Sequence, residues 1–253
     1  MSESVFPKIS VVTVSYNAVT TIEETILSVV NQTYKNIEYI IIDGGSTDGT
    51  VDIIKKYADR IDYWVSEPDK GIYDAMNKGF FYSNGDWVNF MNSDDRFFNN
   101  SVIDNLCEYI IFNNNTQSLY YGGVLFCSKS KSIVYTGKFS KYSLVRKNIC
   151  HQAIFYPRNI YKNYQYNSKY PLYADWEFNI RAYKNVKFTY VGTIIACYSL
   201  SGRSFNVKDE FFLQDLPSLI RTNLGISAYF FYIIIALLKR ISFLRIFRKE
   251  KVL

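Results

Sequence analysis

The chain has 253 residues, 48% hydrophobic and 21% charged, a balance that excludes a disordered chain and leaves room for a sizeable core. Its net charge of +6 is concentrated at the end, where Lys239, Arg240, Arg245, Arg248, Lys249 and Lys251 face Glu250 alone. The rest is close to neutral, which excludes the basic folded face that a nucleic-acid binder needs.

Cys107, Cys127, Cys150 and Cys197 are widely spaced, with no Cys/His grouping suited to zinc. Met1–Ser4 is polar and runs straight into the first apolar stretch, so no secretory leader is expected. The expected compartment is cytoplasmic, with reduced thiols. No stretch reaches the roughly 20 apolar residues of a membrane-spanning helix. The 23 Tyr and 19 Phe suit sugar-stacking clefts, but compositional drift explains them as well.

Along the first hundred residues, short β-branched runs alternate with helix-period segments. Ile9–Val14 reads as a buried parallel strand, and Thr21-Ile22-Glu23-Glu24 as a capping box opening a helix to about Gln32. Ile37–Ile42 is the next strand, followed by the loop Asp43–Gly49 and a helix through Tyr57. Ile61–Val65 reads as strand, Ile72–Tyr82 as helix and Trp87–Met91 as strand. A helix runs from Asn100 to about Phe112, and Ser118–Gly137 is hairpin-like. Ala174–Tyr183 reads as helix, and Lys187–Val191 and Thr193–Tyr198 as two strands. The alternation predicts a doubly wound, mostly parallel α/β sheet with a C-terminal helical appendage. Residues 1–205 form the expected catalytic domain, with halves at 1–115 and 116–205, and 206–253 the appendage.

Sheets of this kind bind ligands beyond the carboxyl ends of their strands, and polar clusters stand at those ends. Ser15-Tyr16-Asn17 is the first. In Asp43-Gly44-Gly45-Ser46, a carboxylate followed by two glycines leaves backbone room for a ring or ribose, or simply makes a tight strand–helix turn. Asn92-Ser93-Asp94-Asp95 crowds carboxylates together, which suits Mg²⁺ or Mn²⁺ bridging a diphosphate, or an Asp-capped turn. Asp69 lies in a loop before a helix, with Lys70 and Lys78 near enough in sequence to reach phosphates. Asp74 and Lys78 also stand at the spacing of a helix-face ion pair. Asp175 opens a helix beside Trp176, which offers a face to a sugar, and His151 is the single histidine.

Taken together these segments resemble the family 2 glycosyltransferases of the GT-A fold. The likeness is carried by Ile9–Asn17, Ser28–Tyr34, Asp43–Thr50 and Gly85–Asp95, in that order. It implies an inverting transfer from a nucleoside-diphosphate sugar with a divalent cation, Mg²⁺ or Mn²⁺. The resemblance assigns donor binding to Ser15, Tyr16, Asn17, Asp43, Asp69 and Ser93, metal binding to Asp94 and His151, and the catalytic base to Asp175. Two departures stand out. Many relatives have Asp-Asp-Gly-Ser where this chain has Asp43-Gly44-Gly45-Ser46, and the first acid of their Asp-x-Asp is here Asn92.

The stretch Ser66–Gly79 is similar to a bacterial subgroup that builds cell-surface polysaccharides. The expected acceptor is therefore a glycan or a polyprenyl-linked one. The apolar run Leu224–Leu238, followed by Ile241, Leu244 and Phe247 among basic residues, predicts attachment to the inner face of an anionic membrane, or else packing on the catalytic domain or a homodimer contact. Two other readings remain open. A nucleotidyltransferase usually carries basic residues right after the first strand, where this chain has Ser15–Val19; an inactive binding subunit would keep the same fold.

Overall fold

The computed structural model describes residues 6–113, 115, 117–127, 132–162, 165–199 and 209–250. Strands β1 (Ile9–Ser15), β2 (Ile37–Asp43), β3 (Tyr63–Ser66) and β4 (Trp87–Asn92) form a parallel unit in the order β3-β2-β1-β4. All seven residues of β1 are buried. A run of β-branched side chains suits a strand covered on both faces.

The second half extends the same sheet. It adds β5 (Arg96–Phe97), β6 (Leu119–Cys127), β7 (Ser132–Tyr135), β8 (Ile154–Pro157) and β9 (Phe188–Ser199). The order continues β4-β8-β6-β9-β5, with β7 hydrogen-bonded to β6 as the expected hairpin. β8 joins β4 antiparallel, while β6 and β9 run parallel.

The helices divide between the faces as the pleat of the sheet requires. On one face, Ile9, Val11 and Ile41 pack against α1 (Ile22–Val30), α2 (Thr50–Lys56) and α4 (Val102–Asn113). On the other, Val12, Val14, Ile40 and Ile42 pack against α3 (Ile72–Tyr82) and α6 (Ala174–Ala182). The one-turn α5 (Lys141–Leu144) adds Leu144 to that core. α3 lies flush on the sheet because Gly79 has no side chain; a Cβ there would stand 2.2 Å from a Val12 methyl.

Two expectations are corrected. Thr21 makes no side-chain cap, and its would-be partner Glu24 instead lies 3.8 Å from Arg96, while Glu23 accepts from Lys56 and Tyr57 of the neighbouring helix region. The two strands expected around Gly192 are one strand, β9, carried through by a positive φ of 81° at that glycine. The expected helical tail is formed by α7 (Glu210–Asn223) and the continuous α8 (Ile226–Glu250).

In α7, Phe212, Leu216 and Ile220 stand one turn apart and are buried in the same core as α6. Asp209 caps α7 by accepting from the Phe212 amide and also accepts from the amides of Leu172 and Tyr173 just before α6. α8 then packs Ala228, Tyr229, Phe231 and Tyr232 on that core. The expected boundary at residue 205 falls outside the described residues, as do the side chains from Lys239 onward.

Candidate functional site

The sheet delivers its polar loops to one edge because β1, β2, β3 and β4 all end there. Asp43, the last residue of β2, is fully buried. A carboxylate in that position must collect donors. Its Oδ1 accepts from the hydroxyls of Ser15 (2.8 Å) and Ser46 (2.6 Å). Its Oδ2 accepts from Ser66 Oγ (2.7 Å) and the amides of Gly45 and Ser46. Burial alone would raise this carboxyl, but the bonds from Ser46, Ser66 and Ser15 prevail and hold it below the usual carboxylate range. Asp43 therefore fastens the ends of β1, β2 and β3 into one platform.

Asn17, in the left-handed region at φ 50°, completes that platform. Its Oδ1 accepts from the Thr47 amide and its own amide donates to Ser46. Above it stand the exposed ring of Tyr16 and the carboxylate of Asp69. The room beside Gly44 is used by these two: a Cβ on Gly44 would lie 2.6 Å from Asp69 Oδ2 and 3.3 Å from the Tyr16 ring. Asp69 also accepts from the Gly71 amide, which bends the chain into α3. Lys78 is held by Glu67 (2.9 Å) and Asp74 (3.8 Å), so it is a helix-face ion pair.

At the end of β4, Ser93 donates its amide to Val14. Asp95 is buried and structural: it accepts from the Ser199 amide (2.9 Å) and Gln152 Nε2 (2.6 Å). Burial, then the charge of Asp94, pushes its carboxyl up to about 7. Asp94 is raised by burial, with the neighbouring His151 pulling the other way.

Asp175, in the first turn of α6, lies close by through a chain of contacts. His151 Nδ1 is 3.2 Å from Asp175 Oδ2, and His151 Nε2 is 3.3 Å from Asn92 Oδ1. Asn148 Nδ2 donates to the same Oδ2 (2.8 Å), and Tyr73 Oη and the Trp176 amide donate to Oδ1 (both 2.9 Å). Tyr73 and Asn148 were not singled out from the sequence; a tyrosine in a first helical turn and an asparagine in a loop carry no motif. Trp176 does not offer its face to a sugar. Its ring packs on Phe212 and Tyr173, and its N–H donates to the Leu144 carbonyl.

Among the described residues, no three His, Cys, Asp or Glu side chains converge as a metal cage. The donor set nevertheless fits a divalent cation shared with a phosphate, which needs only one or two protein carboxylates. A neutral imidazole has one N–H. Given to Asp175, it leaves the Nε2 lone pair turned toward the Asn92–Asp94 turn, the arrangement of a ligating histidine steadied by a carboxylate.

The model of "Glycosyl transferase family 2" matches residues 10–207 of this chain. The chain belongs to that family. A "PGL/p-HBAD biosynthesis glycosyltransferase" of Mycobacterium bovis is 32% identical over 228 residues, 87% of each chain. An "Uncharacterized glycosyltransferase" of Haemophilus influenzae is 34% identical over 124 residues, 48% of each. Among solved structures, S. aureus TarS in complex with UDP superposes with a TM-score of 0.67 at 19% identity, over 85% of this chain and 65% of that one. The mannosyltransferase PcManGT from Pyrobaculum calidifontis, in complex with GDP-Man and Mn²⁺, has a TM-score of 0.60 at 15% identity and covers 96% of this chain and 81% of its own. The protein is a glycosyltransferase with a mixed, mostly parallel α/β sheet of the GT-A kind.

Asp43→Ala leaves three hydroxyls and two amides without their shared acceptor, so it should destabilise the fold by about 3 kcal/mol or more. Urea unfolding at pH 7 measures this. Because the folded carboxyl lies below its ordinary value, its contribution is fully present above the unfolded pKa and lost as pH falls through the folded one. The gap between wild type and variant should therefore hold from neutral pH to about 5 and narrow below about 4.

Proposed function

We propose that this glycosyltransferase moves a sugar from a nucleoside-diphosphate donor to a hydroxyl of a glycan or polyprenyl-linked acceptor, with inversion. The observation that carries the reading is the position of Asp175, a preoriented carboxylate joined through His151 to the turn that holds Asp94. The donor class is supported by the neighbours solved with UDP, UDP-GlcNAc and GDP-Man.

In this reading the Asp43 platform, with Ser15, Asn17 and Ser93, presents Tyr16 and Asp69 to the nucleoside. Tyr16 supplies a ring face and Asp69 accepts from hydroxyl or ring N–H groups. Asp94, with Asn92 and His151 beside it, would hold Mg²⁺ or Mn²⁺, which supplies charge neutralisation for the departing diphosphate. The Mn²⁺ in the mannosyltransferase complex supports this choice of metal. Asp175 takes the proton of the acceptor hydroxyl as its oxygen bonds to the anomeric carbon. The bond from that carbon to the diphosphate breaks on the opposite side, which inverts the centre. The nucleoside diphosphate leaves, and the proton passes from Asp175 to solvent.

Asp175→Asn should lower turnover by about 10² or more while donor binding is unchanged. A variant that loses donor binding and keeps its turnover at saturation would move Asp175 out of this role. Asp94→Ala should remove the Mn²⁺-dependent part of the thermal shift given by nucleoside diphosphates. Unchanged metal dependence would remove Asp94 from the metal site.

The reading places the enzyme on the inner face of a bacterial cell membrane, at work on a surface polysaccharide. α8 supports this. Ile226, Phe230, Ile234, Leu237 and Leu238 form an exposed apolar stripe that runs toward the basic end of the chain. Among the described residues no helix is long and apolar enough to cross a membrane, and an exposed apolar stripe leading to a basic end suits the interface of an anionic leaflet. The full chain should pellet with anionic vesicles and be released by salt, while a chain ending at Asn223 stays in the supernatant. Failure to pellet, with the full chain dimeric in sedimentation, would assign the stripe to a second copy.

A further inference from the structure

α3 is a strut between the two halves of the site. Its entry loop carries Asp69 beside Gly44, and the Gly71 amide is tied back to that carboxylate. In its first turn, Tyr73 reaches Leu172 and Asp175 in the second half of the chain. A turn later the Asn77 side chain both donates to the Tyr166 carbonyl and accepts from the Tyr166 amide, each at 3.0 Å. The buried Tyr73 hydroxyl is thus fixed relative to both halves.

That hydroxyl has one proton and two acceptors. Asp175 Oδ1 lies at 2.9 Å and the Leu172 carbonyl at 2.8 Å. The Trp176 amide and the Asn148 side chain, itself held by Asn179, donate to the same carboxylate, and His151 stands between Asp175 and Asn92. A hydrogen bond to a buried carboxylate is charge-assisted, so a donor held rigidly by its own helix fixes the angle of that carboxylate.

We propose that Tyr73 is the positioning residue of Asp175: its hydroxyl, carried by α3 and seated between Asp175 Oδ1 and the Leu172 carbonyl, holds the carboxylate at one angle toward the acceptor. This rests on the reading of Asp175 as the base.

The test is a double-mutant cycle on Tyr73→Phe and Asp175→Asn, with kcat, donor KM and thermal midpoint measured for all four proteins. Tyr73→Phe should lower kcat about tenfold or more, the scale of one bond to a charged group. Donor KM should be unchanged. In the Asp175→Asn background the same change should cost almost nothing, because a group that acts through another loses its effect with it. A full multiplicative loss in the double variant, or a rise in donor KM with kcat unchanged, overturns the inference while the base assignment stands. Full turnover in Asp175→Asn alone overturns the base assignment, and this inference with it. Should Tyr73→Phe lose its folding transition, the cycle run with Tyr73→His, which retains a ring N–H donor, decides by the same coupling.

Discussion

A carboxylate buried where a parallel strand ends is the constraint on which the rest of this molecule depends. Asp43, Asp95 and Asp175 each lie at or near the carboxyl edge of the sheet, shielded from water. Each can stay there only if chain from elsewhere supplies donors. Asp43 gathers the ends of three strands, Asp95 draws Gln152 and the end of β9 onto β4, and Asp175 draws in α3, the 148–151 loop and its own helix. The loops are therefore ordered by the acids they surround. The exposed tips, Tyr16 above all, are left free for a ligand.

Much of this was legible in the sequence because it rests on local pattern. The β-branched runs Ile9–Val14 and Ile37–Ile42 suit strands covered on both faces, and the polar residues that follow them mark the working edge. The division of roles among the acids was not legible. Asp94 and Asp95 are adjacent and identical in type, yet Asp95 turns inward to Ser199 and Asp94 does not, a difference set by β9 about a hundred residues away. The partners of Asp175 were hidden for the same reason. Tyr73 and Asn148 acquire their role from tertiary packing, and nothing in their own neighbourhoods announces it.

Local reading erred where two local solutions compete. The sequence Thr21–Glu24 is a good capping box, but Glu24 has Arg96 within reach across α1 and β5. Trp176 follows a catalytic candidate, as a sugar platform would, but α7 places Phe212 against its ring. Burying a large aromatic pair contributes roughly 1.5–3 kcal/mol per side chain. That outweighs any preference for leaving the indole open to solvent.

The same packing joins the tail of the chain to its chemistry. α8 rests on α5 through Tyr142 and Phe231, and Lys141 donates to Ser227. α5 ends at Leu144, whose carbonyl accepts from Trp176, the residue after Asp175. α7 reaches the same region from the other side, since Asp209 holds the backbone of Leu172 and Tyr173, and the Leu172 carbonyl is an acceptor of Tyr73. The two C-terminal helices thus buttress α6 and the loop before it from two directions. One face of α8, with Ala228, Tyr229, Phe231 and Tyr232, is committed to this packing behind Asp175, which leaves the stripe of Ile226, Phe230, Ile234, Leu237 and Leu238 on the outer side.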